Sequence, residues 1–137
     1  MSTPPPPLQH ATLAITEHHG WFAIDVAGRY DLEDAQALIH RVLAEADARQ
    51  VRRALVDLLQ VAGNIPDWER FFLGKETAAV LGASVQLAVV APAEKINYFW
   101  ENVAVNRGAR VGVFPNRLEA QAWLLRGAPP TGIRRPA

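Results

Sequence analysis

Val85-Gln-Leu-Ala-Val-Val-Ala-Pro92 is an almost unbroken apolar run that stops at a proline. A strand with no polar alternation is buried on both faces, as in a parallel sheet covered by helices. A second such run, Ala54-Leu-Val-Asp-Leu-Leu59, lies about one helix-length upstream. Two doubly buried strands with a helix between them require crossover connections, and this places the chain in the α/β class.

The rest of the chain fits that frame. Ala11–Glu17 and Trp21–Val26 read as a hairpin around His18-His19-Gly20, with Leu13, Ile15, Phe22, Ile24 and Val26 on its buried face and Gly28 ending the second strand. Asp31 and Asp34 form a capping-box-like start to a helix with an apolar stripe from Leu32 through Leu38, Ile39 and Val42 to Ala46. Arg53–Leu59 is the next strand. Pro66, placed at a first helical position and followed by Asp67 and Glu69, opens a second helix that ends at Gly82. Val85–Ala91 follows as a strand, and Pro92-Ala93-Glu94 opens a third helix running to about Arg107. Arg110–Phe114 is the last strand, and Asn116-Arg-Leu-Glu119 starts a final helix. The order is β-β-α-β-α-β-α-β-α: a mixed, mostly parallel sheet covered by about four helices.

A length of 137 residues suits one domain. The expected division is a disordered proline-rich leader over 1–9, one domain over 10–127 and a disordered tail over 128–137. The formal net charge is zero, so the basic excess of a nucleic-acid binder is missing. With no cysteine, thiolate chemistry and disulfides are excluded. The start, Met1-Ser-Thr-Pro, does not read as a signal peptide, and no apolar run approaches the roughly 20 residues of a membrane span. The expectation is a soluble cytoplasmic protein.

The element order and several local patterns resemble the STAS superfamily, whose best-known members are anti-sigma-factor antagonists. They resemble more closely a bacterial group called SpoIIAA-like. The resemblance covers about residues 11–126. It rests on Ala88-Val-Val-Ala-Pro92, on Glu101-Asn-Val-Ala-Val-Asn-Arg-Gly-Ala-Arg-Val-Gly-Val-Phe114 and on Glu119-Ala-Gln-Ala-Trp-Leu124. It implies a STAS-type fold and a regulatory protein-interaction role. In the antagonists the turn after the third strand carries a phosphorylatable serine. Here Asp57 and Val61 fit that pattern, but Asn64-Ile-Pro-Asp67 offers neither serine nor threonine.

Ligands of open α/β sheets gather at the carboxyl ends of the strands. The residues expected there are Asp57, Gly63, Asn64, Asp67, Ala91, Pro92 and Glu94, with Arg29, Tyr30 and Asp31 beside them; Asp57, Asn64, Pro66 and Asp67, with Trp68, Phe71 and Phe72, make the candidate partner or ligand surface. Asp57 lies inside an apolar run and needs partners, either backbone amides of the next loop or a bound group. In the second helix Trp68, Phe71 and Phe72 share a face with Ala78 and Ala79, while Leu73 and Val80 lie more than a quarter-turn away. Only one face can rest on the sheet, and the other is a candidate interface for a protein partner or for a homodimer. In the third helix Ile96, Phe99, Trp100 and Val103 are expected as a core stripe.

The chain shows no serine-nucleophile elbow and no phosphate-binding fingerprint. His18 and His19 point to opposite faces of a strand, and His10 and His40 have no ligand at a useful spacing. No enzyme activity, cofactor or metal is expected. An enzyme using Asp57, Asp67 or Glu94 as acid or base would need a strongly shifted carboxylate in a polar cleft, and nothing in the sequence demands it. Two readings stand ahead of it. One is a non-enzymatic interaction module with an unknown protein partner. The other is a carrier or sensor of a small apolar, lipid-like ligand, held in a cleft lined by Phe71, Phe72, Phe99 and Trp100.

Overall fold

The computed structural model describes residues 5–126. Its sheet has five strands in sequence order: β1 (Ala11–His18), β2 (Trp21–Arg29), β3 (Arg53–Ala62), β4 (Gln86–Val90) and β5 (Arg110–Phe114). β1 and β2 pair antiparallel, and every later pair is parallel. The helices are α1 (Leu32–Arg49), α2 (Asp67–Leu81), α3 (Phe99–Asn106) and α4 (Arg117–Arg126). The mixed, mostly parallel sheet with four helices is the architecture read from the sequence.

Alternation along the strands divides the core. Phe22, Ile24 and Val26 of β2, Ala54 and Val56 of β3, and Leu87 of β4 pack against α1, α2 and α3. Trp21, Ala23, Leu55, Ala88, Val90 and Phe114 point the other way, onto Ala120 and Leu124 of α4. Apolar residues on both faces of β3 and β4 account for the unbroken hydrophobic runs.

Several details depart from expectation. β2 does not stop at Gly28; it continues to Arg29. Asp25 pairs with Asp57 but Ala27 with Gln60, so β3 carries one extra residue, a β-bulge that bends its carboxyl end. Pro66 is the N-cap of α2, just outside the helix, and its carbonyl accepts from the Glu69 and Arg70 amides. The expected third helix is broken. A 3₁₀ turn over Ala93–Lys95 is followed by extended Ile96, and Tyr98 adopts a left-handed conformation at φ 62° before α3 begins. The cause is Asn97, whose Oδ1 accepts the Phe99 amide at 3.0 Å and so closes a local turn where a helix would continue. Residues 1–4 of the expected leader and all of the expected tail lie outside the described residues. Leu8 packs on the core, and the Gln9 amide donates to buried Asp34 at 2.8 Å.

Two glycines mark close approaches. A Cβ on Gly63, at φ +115°, would lie 2.8 Å from the Tyr30 carbonyl oxygen where β3 leaves the sheet. A Cβ on Gly74 would lie 2.7 Å from Val103 Cγ1, so this glycine sets how near α2 comes to α3.

Candidate functional site

The expected site residues do not form one surface. Asp57 follows Val56 in β3 and therefore faces α4. It is 8% exposed. Its Oδ1 accepts the Leu59 amide at 2.9 Å, within the bulge, and its Oδ2 accepts Arg117 Nη1 at 3.1 Å. The same Arg117 nitrogen donates to Asp25 Oδ1 at 2.8 Å. Two carboxylates that are neighbours across the β2–β3 ladder thus share one guanidinium from the first turn of α4. This arrangement anchors a helix and partners a buried charge.

Asn64, Pro66, Asp67, Trp68, Phe71 and Phe72 lie on the other side of the sheet, in the β3–α2 turn and on α2. Leu73, Gly74, Thr77 and Leu81 form the buried side of α2. The aromatic side is turned outward: Trp68 is 66% exposed and Phe72 51%. Phe71 is half-buried, edge-on to Phe72 and flanked by the cations of Lys75 and Arg107 at 5.5 and 5.4 Å from its ring centre. Phe99, expected in the core, is 37% exposed. Trp100 lies deeper, and its indole N–H donates to Thr77 Oγ1 at 3.1 Å, joining α3 to α2.

Between the sheet and α1, α2 and α3 lies a cavity of about 160 Å³. Val56 and Leu58 of β3, Leu87 and Val89 of β4, Leu38 and Val42 of α1 and Leu73 of α2 give it an apolar wall. Phe99 and Trp100 border it, but Phe71 and Phe72 do not. The cleft expected between α2 and α3 is therefore replaced by a cavity under both helices. Tyr30 also borders it. Burial, with the nearby Asp34 charge, pushes the Tyr30 phenol well above its usual range, so it stays a neutral hydroxyl.

Polar groups tie the two loops at the carboxyl ends of β3 and β4 together beside this cavity. Arg70 Nε donates to the Ile65 carbonyl at 2.7 Å, Nη1 to Asn97 Oδ1 at 3.0 Å and Nη2 to Asn64 Oδ1 at 3.3 Å. Asn97 Nδ2 donates to Asp67 Oδ1 at 3.0 Å, and Lys95 Nζ to the Gly63 carbonyl at 3.3 Å. Arg70, Lys95 and Asn97 escape a sequence reading because their partners lie on other elements. The one available signal was Arg70's place in the turn of α2 that follows Pro66.

Folding also brings His10 beside Asp31 and Asp34, with one ligand-type atom of each within 4.8 Å of the others. Both Asp34 oxygens already accept hydrogen bonds there, Oδ1 from the Gln9 amide and Oδ2 from the His10 ring. Burial alone would raise the Asp34 pKa. The bonds from Gln9, His10 and the Asp31 cap outweigh it and hold the carboxyl below its usual range. The group pins the leader to the start of α1.

No protein-family model matches the chain. No curated protein matches it in sequence either. Among solved structures, an anti-sigma factor antagonist from Mycobacterium paratuberculosis superposes with a TM-score of 0.58 at 19% identity, over 91% of this chain and 99% of the antagonist. An uncharacterised protein with a SpoIIAA-like fold from Shewanella loihica gives a TM-score of 0.48 at 20% identity, over 90% of this chain and 98% of that one. The chain therefore has the fold of the anti-sigma factor antagonist, in agreement with the fold that the sequence resemblance implied. Among the described residues no helix is long and apolar enough to cross a membrane.

Proposed function

We propose that this domain is a non-enzymatic, regulatory protein-interaction module that works through the outer face of α2. The observation that carries the proposal is the outward placement of Trp68 and Phe72, four residues apart on one helix face. Large aromatic side chains held in water on a regular element are suited to anchor an interface. Asn64, Pro66 and Asp67 adjoin this face and would form its polar edge. The partner we assign is a second copy of the chain, because an aromatic helix face can pack on its own two-fold image. The engagement of Asp57 by Arg117 and the Leu59 amide supports a structural role for that carboxylate rather than acid–base work. The β3–α2 turn, Asn64-Ile-Pro-Asp67, has no hydroxyl to phosphorylate, so regulation would run through binding alone. The test is light scattering on wild type beside Trp68→Asp/Phe72→Asp: a dimer that becomes a folded monomer supports the reading.

One further observation favours a second reading, carriage or sensing of a small apolar ligand. A cavity of about 160 Å³ is close to the engineered apolar cavity of about 150 Å³ that takes up benzene. Binding of a small apolar probe, read as shifts at Leu38 and Leu73, tests it.

A further inference from the structure

We infer that the apolar cavity is a site for a small monocarboxylate: its hydrocarbon body lies in the cavity and its carboxylate rests on Arg70 and Lys95. The inference deepens the second reading above and rests on it. Three charged residues border the cavity: Arg70, Lys95 and Glu101. Glu101 is buried, and its Oε1 accepts the Val113 amide at 2.8 Å on strand β5. The two cations stand differently. Every hydrogen bond that Arg70 makes among the described residues goes to a neutral oxygen: the carbonyls of Ile65 and Lys95 and the side-chain amides of Asn97 and Asn64. Lys95 donates to the Gly63 carbonyl. The ion pairs among the described residues employ other cations. The nearest acid in this network, Asp67, is held by Asn97 and not by Arg70.

Two positive side chains beside an apolar cavity, paired only with neutral acceptors, complement an amphiphile with one anionic end. Two of Arg70's bonds are long, 3.4 Å to Lys95 O and 3.3 Å to Asn64 Oδ1. A carboxylate could replace both with one two-pronged, charge-assisted contact. A volume of about 160 Å³ limits the buried body to a ring or a chain of about six carbons. A full-length lipid tail does not fit.

The test is an amide-shift titration of the full chain at neutral pH with hexanoate and, separately, hexanol. Hexanoate should bind at least about tenfold more tightly than hexanol. Shifts should map to Leu38, Leu73 and Arg70. Arg70→Gln should abolish the preference, and Lys95→Met, at an exposed position, should reduce it. If Arg70→Gln does not fold, the wild-type comparison and Lys95→Met decide. Equal affinity for the acid and the alcohol would overturn the carboxylate inference and leave the apolar-ligand reading standing. Binding of neither at millimolar concentration would overturn both.

Discussion

Arg70 and Asn97 meet with a guanidinium nitrogen 3.0 Å from the amide oxygen, and through that contact the turn entering α2 is tied to the turn entering α3. Asn97 has two further duties, since it also accepts the Phe99 amide and donates to Asp67. It also supports the left-handed Tyr98 beside it, a conformation that disfavours residues with a Cβ. Asn97→Ala should therefore destabilise the fold by about 2 kcal/mol, above the cost of one exposed hydrogen bond. Urea unfolding of the variant measures this. A loss below about 0.5 kcal/mol, the ordinary range of a surface substitution, would show that the loops hold without it.

Gly74 and Val103 define the contact of α2 with α3. Gly74→Ala places a Cβ against Val103 and should cost about 1–3 kcal/mol, although alanine favours helix elsewhere. Combining it with Val103→Ala should cost less than the sum of the two single changes, because the second makes room for the first. Strict additivity in thermal melts would mean that the helices separate freely.

The Asp34 clamp gives a pH signature with a definite sign. Its carboxyl is held below the usual range in the folded state, while in the unfolded chain it titrates near about 3.9. The stability it contributes is thus fully present above the unfolded value, and it is lost as pH falls through that value towards the folded pKa. Wild type should exceed Asp34→Asn in stability at neutral pH, and the two should converge in acid. Parallel curves down to the lowest pH at which both fold would contradict the assignment.

Asp57 and Arg117 should be coupled. In a double-mutant cycle of Asp57→Asn and Arg117→Met the interaction energy should be about 1 kcal/mol, since Arg117 is partly solvated. Either single change should loosen α4 in hydrogen exchange while leaving α2 unaffected.

Much of the architecture was legible because each strand and helix carries its own local signal. The Val85–Pro92 run announced a doubly covered strand, and the Asn116–Glu119 box marked α4, where Asn116 Oδ1 does accept the Glu119 amide. The break at Asn97-Tyr98 was not legible, because the apolar spacing of Ile96, Phe99, Trp100 and Val103 suits one continuous helix and a single side chain–backbone bond overrides it. The site was read less well. Periodicity divided α2 into two faces, but it could not choose which one the sheet would take. The sequence groups Asp57 with Asn64 and Asp67 because the first lies within β3 and the other two follow it. β3 is apolar on both faces, so alternation gives no hint of which side an embedded acid will occupy. Arg70 finds Asn97, and Arg117 finds Asp25, only through packing of elements far apart in the chain.

The outer face of α2 makes the sharpest contrast with its inner face. Leu73→Asp should abolish folding, since it places a charge against the core. Trp68→Asp/Phe72→Asp should leave the protomer folded, because both rings are exposed on the single chain, and should lower the melting temperature only by what dimerisation adds to the wild type.

The most direct measurement is light scattering across a concentration series, with wild type beside Trp68→Asp/Phe72→Asp. A wild-type dimer and a variant that is a folded monomer, with a cooperative melt that no longer depends on concentration, are the predicted result. A wild type that stays monomeric at every concentration, or a variant that still dimerises, would contradict the assignment of this face as the interface.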